Sequence, residues 1–469
     1  MVRNQPTRRR PRPTVGIAGL GYMGLATALA FAHRGLRTVG YDIRPELRQR
    51  LRSGRSPIYE KGLVPLLRSE VRSHRFEVVD SWEELVREAT VLFLCLPSPR
   101  GPTGQIDLGP IEQGARELGE ALRGGMDFRL VVVKSTVVPT TTERVVRPLL
   151  ERVAGRDPTT LGVASNPEFL SEGNMVHDAL DPERIVVGVS SSRDERLLRL
   201  VYEKFPAPLL VLTPTEAELV KYASNAFLAL KVTFANEISR VAERVGGDID
   251  HVMEGVGRDS RVGPKFLSAG PGFGGSCFEK DVAALTERAR ELGAPMPLLD
   301  HLLPANGEQT RHATELIRAA LGDLKGTSVA LLGLAFKAGT DDVRESRALP
   351  IAEELVGAGA TVRAHDPVAL DNFRSAWAQR DLPRPDGLVF CSTPEEALTG
   401  ADAAVIQAAW PVYRRWPRSW SRRMRRPLVV DLRRSVPARL RRRGDFEWVG
   451  LGVGRSDTGA KGTTGSQVR

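Results

Sequence analysis

The residues best suited to chemistry are those of the stretch Gly272-Phe273-Gly274-Gly275-Ser276-Cys277-Phe278-Glu279-Lys280-Asp281. A lone cysteine follows a glycine-rich turn and precedes a lysine and an aspartate. Positions 282, 285, 289 and 292 are apolar, the spacing of one helix face, and Gly293 ends the run. Cys277 therefore stands at or just before a helix N-terminus, where free amides and the dipole favour an anion. A thiol there, with Lys280 nearby, ionises more easily than a free cysteine. The glycines let a ligand approach the backbone closely. This describes an activated nucleophile. The alternative is a small buried thiol on a glycine-rich turn.

A second group lies on the longest helical pattern, Thr215 to Val245, which Pro214 precedes, Thr215 can cap and Gly246-Gly247 ends. Its centre, AFLALKVTF, is apolar nearly all round, which predicts burial. Lys221 and Asn225 are four apart on one face. A lysine so placed needs a partner or a purpose, such as stabilising an oxyanion. Pairing with Glu218 at a solvent edge is the alternative. The helix reads as a spine between domains and as a subunit interface.

The element that must carry a cofactor comes first in the chain. Thr14 to Ala18 reads as a strand, followed by Gly19-Leu20-Gly21-Tyr22-Met23-Gly24 and an alanine-rich helix, Leu25 to His33. A second strand, Arg37 to Tyr41, ends at Asp42. G-x-G-x-x-G between strand and helix, with an acid about 20 residues on, predicts a dinucleotide site. Packing alone is the other reason for such glycines. Asp42 would bond a ribose 2′-hydroxyl and repel a 2′-phosphate, which favours NAD over NADP; Arg44 weakens that preference. Strands Thr90 to Leu96 and Leu130 to Lys134 end at Ser98 and at Ser135-Thr136, the ligand side of an open sheet. Cys95 reads as an inert core thiol. Beyond them lies Asn166-Pro167-Glu168-Phe169-Leu170-Ser171-Glu172-Gly173, two acids around an aromatic–leucine pair.

Strand and helix alternate again from Lys325. Strands are expected over Ser328 to Leu332, Thr361 to Ala364, Ala403 to Gln407 and Leu428 to Val430, with a helix over Leu349 to Ala358. No G-x-G-x-x-G occurs there, so no second NAD is expected. Lys337, Arg344 and Arg433 fall near strand ends, where phosphates bind. The fold class is α/β, with two Rossmann-like, doubly wound domains joined by the long helix and a helical middle.

Composition bounds these readings. A chain of 469 residues, 41% hydrophobic and 26% charged, holds two or three globular domains. Apolar runs are strand-length, so no membrane helix is expected, and the N-terminus lacks the apolar core of a secretory signal. Three scattered cysteines suggest neither a disulfide framework nor a metal site, and fit a reducing cytoplasm. The net charge of +10 comes from five arginines in residues 3–12 and thirteen between Arg414 and Arg443. The second cluster is interrupted by the strand-like PLVVDL and lacks a binding motif, so nucleic acid is not the expected partner. Solvated tails, or help in attracting anionic substrates, explain the charge better.

Together GLGYMG, NPEFLSEG, AELVKYASNAFLALKVTFANE, DSRVG, GPGFGGSCFEKD, GLAFKAGTDDVRES and the closing VGLGVG resemble the UDP-glucose/GDP-mannose dehydrogenase family over residues 14 to about 452. The resemblance implies oxidation of a nucleotide sugar at C6 to the carboxylate, with two NAD reduced. It further implies a homodimer or higher oligomer and a role in polysaccharide biosynthesis. UDP-glucose is the first expected substrate. GDP-mannose, a UDP-N-acetylhexosamine, or a catalytically silent nucleotide-sugar-binding protein are the alternatives. The implied catalytic residues are Cys277 as nucleophile, Lys221 and Asn225 for oxyanion and water, Asp281 for proton transfer and Glu168 for thioester hydrolysis. Implied cofactor contacts are Gly19, Gly21, Tyr22, Met23, Gly24, Asp42, Ser98, Thr136, Glu172, Lys280 and Arg344. For the substrate they are Glu168, Phe169, Leu170, Lys221, Asn225, Phe266, Gly274, Phe278, Lys337 and Arg433, with Arg261 reaching in from a neighbouring subunit. Glu279 departs from the proline or glutamine of many relatives, Ser98 from their threonine and Leu47 from a basic residue. A carboxylate at 279 would raise the Cys277 pKa unless it points to solvent. The expected organisation is a basic tail over 1–13, an NAD-binding domain over 14–212 and a central helical, dimerising domain over 213–312. A UDP-binding domain over 313–454 and a disordered tail over 455–469 follow.

Overall fold

Short runs such as VGIA, VLFL and the LVVV that follows Arg129 are apolar at every position because both faces of their sheet are covered. In the computed structural model, which describes residues 12–454 except 57, 102–103 and 381–384, they form the middle of an eight-stranded sheet. The expected tail over 455–469, and all but the last two residues of the basic tail over 1–13, lie outside the described residues. The strands are β1 (Val15–Ala18), β2 (Thr38–Tyr41), β3 (Phe76–Val78), β4 (Val91–Leu94), β5 (Arg129–Val133), β6 (Leu161–Ser165), β7 (Ile185–Gly188) and β8 (Leu209–Leu212). Their order is β3-β2-β1-β4-β5-β6-β7-β8, parallel except where Ser165 of β6 meets Gly188 of β7. Alternate residues enter two cores. Val91, Phe93, Leu130 and Val132 join the helix Tyr22–His33 on one face, while Leu92, Leu94, Val131 and Val133 pack with Ile111, Leu118 and Leu150 on the other. This sheet belongs to a unit that runs to Ser224 and includes Ala283–Ala294.

The long helix runs Pro214–Val245, 32 residues or about 48 Å. Its cap is Thr213 rather than the expected Thr215. Thr213 Oγ1 accepts from the Glu216 amide at 3.3 Å, and Glu216 Oε2 accepts from the Thr213 amide at 2.9 Å, a reciprocal capping box. Pro214 takes the first helical position, where a missing N–H costs nothing. Thr215 instead donates to Glu143 Oε2 at 2.9 Å.

The second unit comprises Asn225–Val282 and the chain from Pro295. Its sheet contains β9 (Ser328–Leu332), β10 (Thr361–His365), β11 (Leu388–Phe390), β12 (Ala403–Ile406), β13 (Leu428–Asp431) and β14 (Glu447–Gly450). The order β11-β10-β9-β12-β13-β14 is parallel throughout. Its core continues from Ala235, Ile249 and Ile317 of the helical part into Val329, Leu331 and Val405 of the sheet. Asp366 follows β10 as Asp42 follows β2, but its carboxylate is spent on the fold. One oxygen accepts from the Leu334 and Ala335 amides and Trp410 Nε1 at 2.7, 3.2 and 3.0 Å. The other accepts from the Val368 and Ala369 amides at 3.0 and 2.9 Å.

Candidate active site

The first turn of the N-terminal sheet is built to receive a phosphate. Gly19 has φ +92°, and a Cβ there would lie 2.4 Å from the Cys95 carbonyl oxygen. A Cβ on Gly24 would lie 1.8 Å from the Gly19 oxygen. These two glycines serve close packing. Gly21 does not: nothing lies within 4 Å of a Cβ placed on it. That open space meets the N-terminus of Tyr22–His33, whose first turn carries no acid. Free amides and the dipole suit a pyrophosphate there, and the turn fits a dinucleotide. Tyr22, Met23, Ser98, Thr136 and Glu172 are half-buried in the same unit.

Asp42 closes the far side of this turn. Its carboxylate accepts from the Leu20 amide at 2.9 Å and from Arg44 Nε and Nη2 at 2.9 and 3.2 Å. Burial raises its pKa, but the bonds from Arg44 and Leu20 outweigh burial and the net shift is downward. Arg44 itself is largely exposed. Leu47, where a basic residue was noted as missing, is a core side chain.

Glu168 and Lys221 meet in the first unit. Lys221 Nζ lies 2.8 Å from Glu168 Oε1, with side-chain exposures of 4% and 12%. Glu168 Oε2 accepts from the Leu170 amide at 2.5 Å. Burial pushes the Glu168 carboxyl up, yet the Lys221 charge and hydrogen bond prevail and hold it below the ordinary range. The Glu218 alternative is excluded, because that carboxylate caps the Thr140 and Thr142 amides at 2.7 and 2.8 Å. Phe169 lies beneath two cations, Arg184 at 4.0 Å and Lys221 at 5.6 Å from its centroid. Leu170 is half-buried beside it.

The second unit carries the thiol. The helix begins at Phe278, so Cys277 is the residue immediately before it, and the Asp281 amide donates to the Cys277 carbonyl at 2.8 Å. Cys277 is half-buried, whereas Cys95 and Cys391 are buried. Asp281 is 1% exposed and is held by Asn225 Nδ2 at 2.6 Å and Lys280 Nζ at 2.5 Å. The Lys280 ammonium thus serves Asp281. Asn225 stands one turn after Lys221 on the same helix.

The glycine turn is pressed against the 336–345 segment of the same unit. A Cβ on Gly274 would lie 2.2 Å from the Glu345 carbonyl oxygen, and one on Gly275 2.8 Å from the Phe336 ring. The Gly275 amide donates to the Arg344 carbonyl at 3.0 Å. Glu279 does not point to solvent. Its side chain is 16% exposed and paired with Arg347. Burial raises its pKa to about 7, with Arg347 opposing and Glu345 reinforcing the rise. Its charge is therefore met by Arg347.

Four polar residues that the sequence reading passed over shape this turn. Asn306 bonds both the amide and the carbonyl of Phe273 at 2.8 and 3.0 Å. Gln309 and Thr310 donate to the carbonyls of Gly270 and Pro271 at 2.9 and 2.8 Å. Asn236 Oδ1 accepts from the Gly270 amide at 2.8 Å. The signal available was the buried polar face 306, 309, 310 on the helix Leu302–Leu321.

Phe278 packs on Phe266 and Phe273, with centroids 6.2 and 5.7 Å apart. Arg433 bonds the Gln407 carbonyl at 2.8 Å, and burial lowers its pKa to about 10. Lys337 Nζ sits 5.4 Å from the Phe336 centroid. Arg344 is bidentate on Asp342. Arg261 extends outward with 88% of its side chain exposed, paired only locally with Asp259 at 2.6 Å among the described residues.

Three family patterns match this chain in order. The NAD binding domain of the UDP-glucose/GDP-mannose dehydrogenase family matches residues 13–206, its central domain residues 215–308 and its UDP binding domain residues 330–438. The chain belongs to the UDP-glucose/GDP-mannose dehydrogenase family. It is therefore an oxidoreductase with an NAD-binding domain. UDP-glucose 6-dehydrogenase AglM of Haloferax volcanii is 40% identical over 91% of this chain and 97% of its own. UDP-glucose 6-dehydrogenase TuaD of Bacillus subtilis is 36% identical over 85% and 84%. Among solved structures, a UDP-glucose dehydrogenase from Pyrobaculum islandicum superposes with a TM-score of 0.87 at 40% identity, covering 96% of this chain and 100% of that one. A UDP-D-ManNAc dehydrogenase from Pyrococcus horikoshii follows at 0.81 and 28%, covering 94% and 99%. No described helix is long and apolar enough to cross a membrane.

Proposed function

We propose that this protein is an NAD-dependent UDP-glucose 6-dehydrogenase that makes UDP-glucuronate through a covalent Cys277 intermediate. The observation that carries the substrate is the 40% identity to a UDP-glucose 6-dehydrogenase over 97% of that relative. Bound NAD would supply a hydride acceptor for each of the two oxidations, held by the 19–24 turn and Asp42. The chain's own residues do the rest. Cys277 adds its thiolate to the C6 aldehyde, forming a C–S bond and a thiohemiacetal. Loss of a second hydride leaves a thioester, and water then breaks the C–S bond to release the carboxylate and the thiol. Lys221 stabilises the oxyanion at each stage. When its ammonium turns to that oxyanion, Glu168 loses its nearest cation and becomes a better base toward water. Asp281, braced by Asn225 and Lys280, takes the proton near Cys277. Lys337 and Arg433 hold the diphosphate, with Phe266, Phe278 and Gly274 shaping the substrate contact. The enzyme acts in the cytoplasm, with the expected NAD-binding, central and UDP-binding domains over 14–212, 213–312 and 313–454. A panel of UDP-glucose, GDP-mannose and UDP-N-acetylhexosamines with NAD, followed by absorbance of the reduced cofactor, tests the substrate. A higher kcat/KM for any other sugar nucleotide overturns it.

Cofactor choice rests on Asp42. Wild type is expected to prefer NAD, and Arg44→Ala to widen that preference by exposing the Asp42 charge to a 2′-phosphate. Dissociation constants for NADH and NADPH by fluorescence measure this directly. Equal affinities in wild type would refute it.

The functional unit is a dimer or larger. Phe227, Phe234, Val241 and Val245 of the long helix are 61%, 46%, 55% and 75% exposed and recur at near-heptad spacing, an apolar stripe suited to a second copy. Arg261 projects outward in the same unit. Mixing Arg261→Ala with Cys277→Ala subunits should restore part of the activity that each variant lacks. No recovery after proven mixing would argue against a shared site.

A further inference from the structure

Lys134 is a buried cation that the chemistry above leaves unused. It directly follows β5, is 7% exposed, and its amide continues the ladder to the Leu94 carbonyl at 3.0 Å. Its Nζ donates to Asn166 Oδ1 at 3.0 Å and toward the Asn166 carbonyl at 3.4 Å. Asn166 is fixed further by the Tyr202 hydroxyl, by the Val186 carbonyl at 2.7 Å and by a backbone bond to Val133 at 2.8 Å. It opens the turn that delivers Glu168 two residues later. No carboxylate pairs with Lys134 among the described residues, so its burial costs folding free energy that a neutral side chain would not.

We propose that Lys134 is a positioning residue for Glu168, its ammonium pinning the Asn166 turn from behind and adding to Lys221 a second positive charge that the Glu168 carboxylate feels. The titratable groups acting on Lys134 are Cys95, Glu168 and Lys221, and Tyr202 shares the Asn166 Oδ1 acceptor with it. Burial raises the Cys95 thiol to about 12 and pushes the Tyr202 hydroxyl up as well, so both stay neutral. Burial lowers Lys134 itself to about 8, with Cys95 and Glu168 opposing and Lys221 assisting the fall. Lys134 also helps hold Glu168 low. The charge matters most when Lys221 has turned to an oxyanion, because Lys134 then keeps the carboxylate ionised for the hydrolytic step.

The linkage has a definite sign. A lysine near 8 when folded and near 10.5 when unfolded binds fewer protons in the folded state between those values. Its penalty on stability is full below pH 8 and fades as pH rises toward 10.5. Lys134→Met should therefore leave the melting temperature at pH 7 unchanged or raised. The same variant should slow acid formation roughly tenfold, with KM for the sugar nucleotide unchanged. The acidic limb of its pH–rate profile should move up by on the order of one pH unit. A lower melting temperature with an unmoved limb, or failure to fold, overturns the proposal, since either makes Lys134 merely structural. The proposal rests on the reading of Glu168 as a participant in thioester hydrolysis, and Glu168→Gln separates the two. If Glu168→Gln hydrolyses the thioester at the wild-type rate, that reading fails. If it is slow while Lys134→Met keeps the wild-type limb, only the role of Lys134 fails.

Discussion

Cys277→Ala is expected to lower multiple-turnover formation of the uronic acid on the order of 10³-fold or more, as when a covalent nucleophile is removed. The variant lacks the sulfur proposed to form the thioester, but the 19–24 turn and the 270–276 glycines are untouched, so sugar nucleotide and NAD should still bind. Any first oxidation that persists should stop at the aldehyde, with at most one cofactor reduced per sugar instead of two. Alkylation should agree. Cys277 is half-buried, whereas Cys95 and Cys391 are buried thiols whose pKa burial raises. Iodoacetamide should modify Cys277 first, and bound substrate should protect it. Product stoichiometry by mass spectrometry decides. Near wild-type acid formation by Cys277→Ala would end the covalent mechanism and return Cys277 to a small thiol on a glycine turn.

The parts of the fold that were legible in the sequence are those whose signal is local. Central strands β1, β4 and β12 are continuous apolar runs, and β5, β9 and β13 are such runs with one polar residue at an end, because helices cover both faces, so the local sequence marks their positions. Strands β3, β8, β11 and β14 lie at sheet edges. An edge strand needs no second partner and tolerates polar residues, so Phe76–Val78 and Glu447–Gly450 carry a weak signal. The antiparallel step between β6 and β7 has no local signature, since a run such as IVVG reads alike in either direction. The cap of the long helix lies two residues before the expected Thr215 because Pro214 belongs inside a helix as readily as before it.

The same division holds at the site. Cys277 before a helix and the dinucleotide turn were readable because both depend on neighbours in sequence. The pairings were not. Glu168 and Lys221 are 53 positions apart, and Asn225 and Asp281 are 56 apart. Motif spacing names such residues without saying which carboxylate faces which donor. Lys280 shows the consequence, because its place beside Cys277 suggested thiol activation whereas its ammonium is bound to Asp281. Glu279 shows another, because Arg347, which meets it, is 68 residues away.

The Glu168–Lys221 pair supports the second large effect. Lys221→Met keeps the bulk of the side chain and removes the ammonium, leaving the Glu168 carboxylate with the Leu170 amide as its remaining close partner in the first unit. Breaking one side of a buried pair typically costs about 3–5 kcal/mol, here offset in part by the Lys134 charge that Glu168 also feels. The Glu168 pKa should rise, since its largest stabilising influence is Lys221. Stability should therefore fall most above the new pKa and recover as acid neutralises the carboxyl. Turnover should drop about 10²–10³-fold, the usual loss when an oxyanion donor is removed. Because a destabilised enzyme also loses activity, the single variant leaves the two causes mixed. Glu168→Gln/Lys221→Met separates them. Neutralising the carboxyl should restore most of the melting temperature, while turnover stays low because neither the ammonium nor the base is present. If the double variant remained as unstable as Lys221→Met, the ion pair would not be what holds this part of the fold. If Lys221→Met turned over at near the wild-type rate, Lys221 would be a structural partner of Glu168 and nothing more.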